Sequence, residues 1–149
     1  MHKLDSEHSL VKAMQTALKN DGALSRGRAF GQAQTLHSEK DCTMQGWHAD
    51  YDPKKVAGVP KKPQSAVLAL EPNTFFWVAG RDGMAIKIVM RPGDILVFDG
   101  DLVHAGAQYS KPNTRIHAYL TVDGLVAENS TWLVPFSSVC ELEYPWIVQ

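Results

Sequence analysis

The chain has 149 residues, 44% hydrophobic and 21% charged, with a formal net charge of −1. That length suits one domain with a core of its own and no need of disulfides. The near-neutral balance excludes a strongly basic nucleic-acid binder and a disordered acidic chain.

Two cysteines, Cys42 and Cys140, stand in no metal-like or redox-like spacing. A reducing intracellular compartment, cytoplasmic or nuclear, is therefore expected. The opening "MHKLDSEHSLVKAM" has scattered charges and no apolar run of a secretory leader. No run is long enough to span a membrane, so no membrane association is expected.

Residues 6–20, "SEHSLVKAMQTALKN", read as an amphipathic helix. Leu10, Met14, Ala17 and Leu18 fall at spacings of three and four and share one face. Asp5 or Ser6 is placed to cap its start and Gly22 to end it. The helix is expected to pack on the outside of the remaining structure.

Beyond it the period changes to two. Short runs rich in β-branched and aromatic residues predict strands at 28–36, 44–49, 64–70, 74–79, 84–89, 94–98, 103–108 and 115–122. A last apolar segment lies near 131–136. Strands with turn residues between them, and no alternating helices, predict a mainly β fold of the jelly-roll kind. The organisation expected is one domain over 1–149: helix 6–20, barrel 28–122 and a C-terminal extension 123–149. The long connection 51–63, "YDPKKVAGVPKKP", carries Lys54, Lys55, Lys61 and Lys62. It reads as an ordinary solvated loop, or as an attractor for an anionic substrate.

The stretch "GWHADYDP" places His48 two residues before Asp50 at the end of a predicted strand. Residues i and i+2 of a strand project to one side, so an imidazole and a carboxylate share a face. His104, beginning a strand after the "DGD" turn, is the candidate third ligand. Two histidines and a carboxylate form the facial triad of non-haem Fe(II) oxygenases, which leaves positions open for a co-substrate and O2. Asp99 and Asp101 read as turn residues rather than ligands.

Arg115 opens the strand "RIHAYL", where alternation puts Arg115, His117 and Tyr119 on one face. A cation facing a barrel interior needs an anion. The far carboxylate of a dicarboxylate would pair with the guanidinium, while its 2-oxo acid end chelates the metal. His117 reads as a pocket residue or a core histidine, and Trp77 as core packing or substrate lining.

The ordered set His48-x-Asp50, His104 and Arg115 resembles the 2-oxoglutarate/Fe(II)-dependent dioxygenase superfamily, and "RPGDILVFDGDLVHAG" is similar to that family's approach to its distal histidine. The resemblance covers roughly residues 28–122. It implies a double-stranded β-helix in which His48, Asp50 and His104 bind Fe(II) and Arg115 binds 2-oxoglutarate. The implied reaction couples decarboxylation of 2-oxoglutarate by O2 to hydroxylation of an unidentified prime substrate: a small molecule, a protein side chain or a nucleic acid.

Tyr119 is the expected helper at the co-substrate, and Tyr51 and Trp77 are expected on the substrate side. The chain lacks the Arg-x-Asn-x-x-Arg run of the alkylated-base repair branch. It has arginine where procollagen-type prolyl hydroxylases use lysine. Phytanoyl-CoA-hydroxylase-like and oxygen-sensing prolyl-hydroxylase-like subfamilies both fit. Two other readings stay open. One is a cupin-like metalloprotein that recruits His117 or Glu71 and does not use 2-oxoglutarate. The other is a non-catalytic barrel that serves as a binding module.

Overall fold

Residues 64–69 and 95–98 split their apolar side chains between two cores. A computed structural model describes residues 2–6, 8–25, 27–80, 84–128, 130–131 and 138–142. Its strands are β1 (His2–Lys3), β2 (Ala29–Ser38), β3 (His48–Ala49), β4 (Gln64–Ala69), β5 (Thr74–Ala79), β6 (Met84–Met90), β7 (Ile95–Asp99), β8 (His104–Gly106), β9 (Asn113–Thr121), β10 (Ser130–Thr131) and β11 (Ser138–Leu142). Two helices, α1 (Ser9–Asp21) and α2 (Pro53–Val56), complete the described elements.

The fold is mainly β and built on two sheets. One runs β1-β2-β9-β4-β7 and the other β10-β3-β8-β5-β6-β11. Every pairing is antiparallel except β11 with β6.

Ala66 and Leu68 of β4 join Ile116, Ala118 and Leu120 of β9, Ala33 of β2, and Val11, Met14 and Leu18 of α1 in one core. The opposite parity of β4, Val67 and Ala69, joins Phe76 and Val78 of β5, Ile88 and Met90 of β6, and Leu96 and Phe98 of β7 in a second. The first sheet is thus covered on both faces, which explains why "QSAVLAL" is almost continuously apolar rather than alternating.

Helix α1 ends on Gly22 at φ 88°, as its sequence predicts, but it begins later. Its cap is His8, whose Nδ1 accepts from the Leu10 N–H at 3.2 Å, rather than Asp5 or Ser6. The buried stripe is Val11, Met14 and Leu18, while Leu10 is 39% exposed and Ala17 is also exposed. Leu10 and Val11 lie about 100° apart around the axis, and the sheet takes the stripe centred on Met14 that contains Val11.

The predicted strand 44–49 shrinks to His48–Ala49. Gln45 holds Gly106 instead, its N–H donating to the Gly106 carbonyl and its Oε1 accepting from the Gly106 N–H. The 51–63 connection contains α2, started by the Asp52 side chain accepting from the Lys54 N–H at 2.9 Å and by Pro53 in the first turn. Of the apolar segment near 131–136, residues 132–136 lie outside the described residues. No helix among the described residues is long and apolar enough to cross a membrane.

Candidate metal centre

Strand β3 has only two residues, and its register decides the site. His48 pairs directly with His104 across the β3–β8 ladder, so two residues 56 positions apart become neighbours with ring centroids 4.4 Å apart. Each ring is oriented by a backbone carbonyl. His48 Nδ1 lies 2.8 Å from the Gly46 carbonyl oxygen, and His104 Nδ1 lies 2.9 Å from that of Leu102. A carbonyl only accepts, so in each neutral ring Nδ1 carries the hydrogen and Nε2 keeps its lone pair.

Both bare nitrogens face one carboxylate oxygen. His48 Nε2 is 3.9 Å and His104 Nε2 3.4 Å from Asp50 Oδ1. One ligand atom from each of the three residues lies within 4.8 Å of the other two. With no hydrogen between them, three lone pairs facing each other repel. A cation placed among them removes that repulsion. Two imidazoles and a carboxylate fit a divalent transition metal, and the carbonyls holding Nδ1 are the outer partners such ligands use.

The setting favours binding. Asp50 and His104 are buried at 3% and 4% exposure. Phe76 stacks on His104 at 5.1 Å, and Phe98 meets it edge-on at 4.8 Å. Burial alone would raise the Asp50 carboxyl, but the His104 and His117 rings beside it hold it well below the usual carboxylate range. Burial lowers the His48 imidazole against the opposing pull of the Gly46 carbonyl. Both shifts favour the metal-binding protonation states.

Arg115, His117 and Tyr119 lie on one face of β9, and all three line a cavity of about 140 Å³ together with His48, Asp50 and His104. Arg115 is 4% exposed. Its Nη1 donates to Ser38 Oγ at 3.0 Å, and its guanidinium carbon sits 5.3 Å from the centre of the Tyr109 ring. Among the described residues no carboxylate forms an ion pair with it. Burial raises the Tyr119 phenol, and the Asp50 carboxylate adds to the effect.

Two expected lining residues lie elsewhere. Trp77 alternates with Phe76 and Val78, which face the inter-sheet core, so Trp77 takes the other face of β5 and Phe76 lines the cavity. Tyr51 is buried at 1% exposure, meets the Tyr119 ring edge-on at 6.1 Å, and is not among the cavity's lining residues. Burial, then the Asp50 charge, pushes its phenol up to about 12.

Glu71 accepts from the Thr114 N–H and stands outside the cavity lining. Asp99 and Asp101 pair with Lys62 at 3.8 and 3.0 Å, and Lys55 pairs with Glu128 at 2.5 Å. Part of the basic loop's charge is therefore matched within the protein.

Sequence reasoning missed Gln34, Leu36, Gln45 and Phe76 in the lining. Gln34 and Leu36 were findable once β2 is known to pair with β9, since they stand opposite His117 and Arg115. Ser65, Tyr109 and Ser38 carry no sequence signal.

No protein-family model matches the sequence, and no curated protein is similar enough to count as a relative. Solved structures are similar in fold. A prolyl-4-hydroxylase from Pseudomonas putida superposes with a TM-score of 0.59 at 16% identity, covering 80% of this chain and 72% of that one. An oxidoreductase of the 2OG-Fe(II) oxygenase family from Burkholderia pseudomallei gives 0.58 at 15% identity, over 79% of this chain and 60% of that one. A non-haem monooxygenase in complex with nickel gives 0.57 at 12% identity, over 90% of this chain and 65% of that one. The chain thus spans less than two thirds of the length of the second and third of these. At such identities the likeness is one of fold, and it places this chain among mainly β proteins that include oxygenases with this architecture.

Proposed function

We propose that the chain is a non-haem Fe(II) dioxygenase with a double-stranded β-helix, coupling oxidative decarboxylation of 2-oxoglutarate to hydroxylation of a second molecule. One observation carries this reading. The cavity that holds three converging lone-pair donors is also lined by a buried arginine with no carboxylate partner among the described residues. A metal alone leaves Arg115 unexplained. A dicarboxylate that also chelates the metal accounts for both.

When bound, Fe(II) would supply activation of O2 and a seat for the 2-oxo acid. The protein's own residues do the rest. His48, Asp50 and His104 would hold the ion from one side and leave the other side open. Arg115 would fix the far carboxylate of 2-oxoglutarate, its fork oriented by Ser38 and by the Tyr109 ring. Tyr119 would bound the co-substrate, and Phe76 and Phe98 keep water from the His104 side.

Substrate choice falls to the segments around the cavity, since the barrel carries the chemistry and its loops the selectivity. The second molecule is a small molecule, a protein side chain or a nucleic acid. Free Cys42 and a ferrous site both suit a reducing intracellular compartment.

Purified protein given Fe(II) and 2-oxoglutarate should form succinate only when iron is present, and His48→Ala or Asp50→Ala should abolish it. Metal binding without any thermal shift on adding 2-oxoglutarate would favour the cupin-like reading. Protein that binds neither would favour a non-catalytic module.

A further inference from the structure

Asp50 has two carboxylate oxygens, and the fold treats them differently. Oδ1 faces His48 and His104. Oδ2 is turned the other way, to the opposite sheet, where Ser65 Oγ donates to it at 2.5 Å and His117 Nε2 lies 3.2 Å from it. Ser65 is fully buried and His117 is 6% exposed, so neither contact competes freely with water.

These two residues belong to β4 and β9, adjacent strands of the first sheet, whereas Asp50 follows β3 of the second. Their Cα partners in the ladder are Tyr119 for Ser65 and Val67 for His117, which makes them diagonal neighbours on the inner face. The carboxylate therefore ties the two sheets together.

The tautomer follows from the same geometry. The charged Oδ2 only accepts, so the Nε2 of His117 carries the hydrogen. The other nitrogen, Nδ1, is a buried atom with no partner among the described residues. A buried ring nitrogen without a partner is a cost to the fold. It is retained where the other nitrogen has a task.

We infer that His117, with Ser65, is a positioning residue that clamps Asp50 Oδ2 and so leaves Oδ1 alone to meet the metal. The inference rests on the metal-binding part of the reading above. Without the clamp, the carboxylate is free to rotate or to offer both oxygens, which would weaken the site and close a position needed by a chelating co-substrate.

The test uses Mn(II) alone, with affinity measured by calorimetry on the full chain and folding checked by thermal melting of each metal-free variant. Outer partners of metal ligands contribute about 10- to 100-fold in affinity, and a loss of that size is expected in His117→Leu and in Ser65→Ala. The amide nitrogen of Gln reaches the place of Nε2, whereas that of Asn reaches only Nδ1. His117→Gln should therefore recover most of the affinity and His117→Asn should not.

Equal, near wild-type affinity in the Gln and Asn variants would overturn the clamp. Equal, severe loss in both, with normal melting, would also overturn it and make His117 a direct ligand. Failure of the wild-type protein to bind Mn(II) would instead overturn the metal site itself.

Discussion

His48 shows how much a single contact settles. Its ring is partly buried, which favours the neutral imidazole, while the Gly46 carbonyl that holds Nδ1 orients the ring and pulls the other way more weakly. Because burial lowers its folded-state pKa from 6.5, the unfolded chain takes up this proton first on acidification. The metal-free protein should therefore have its full His48 contribution above that value and lose it progressively as the pH falls towards the lower, folded-state pKa. Asp50, held low, acts in a separate window below the ordinary carboxyl value of 3.8.

Urea midpoints measured between about pH 7.5 and 5.5 should fall more steeply for the metal-free wild type than for His48→Gln. Parallel slopes would mean that His48 is not held neutral by the fold. At this scale the sequence was informative where chemistry repeats at a fixed spacing. His48 and Asp50 stand two apart and are read from strand geometry. Ser65 was not legible, because a lone serine in an apolar strand looks the same whether or not a carboxylate lies across from it.

Among the elements, the central strands were legible and the peripheral ones were not. Strand β5 (Thr74–Ala79) matches its prediction in full, β4 and β6 differ from theirs by one residue at one end, and β7 is shifted by one residue. Each is held on both edges or packed on a core, so its apolar pattern reports its environment. The two-residue strand β1 leaves no periodicity to detect, and β3 was anticipated only as the end of a longer run. The facing of Trp77 was not legible because both faces of "TFFWVA" are apolar, so period alone does not say which one turns inward.

The same ambiguity moved the stripe of α1, and it is testable. Met14, at 1% exposure, sits in the helix–sheet core, and Met14→Ala should lower stability by about 2–5 kcal/mol. Leu10→Ala, on the exposed side, should change it by no more than about 0.5 kcal/mol. Chemical denaturation of the two variants measures the difference directly, and equal losses would contradict the observed stripe.

For the whole molecule, the consequence of two facing sheets is that the site belongs to neither. His48 and His104 come from β3 and β8, and Arg115, His117 and Tyr119 from β9 of the other sheet. Asp50 reaches across the gap. This long-range assembly is why the ligands were readable only as an ordered set: no local stretch contains them, yet each needs its own strand parity to be correct. It also means that a ligand gripping both the metal and Arg115 would draw on both sheets at once.

The central claim is that one molecule does this. Calorimetric titration of 2-oxoglutarate into Mn(II)-loaded protein tests it most directly. Binding should require the metal, and Arg115→Met should keep its Mn(II) affinity while losing at least about 2 kcal/mol, roughly 30-fold, in affinity for 2-oxoglutarate. Binding that is indifferent to the metal, or equal in Arg115→Met and wild type, would contradict the account.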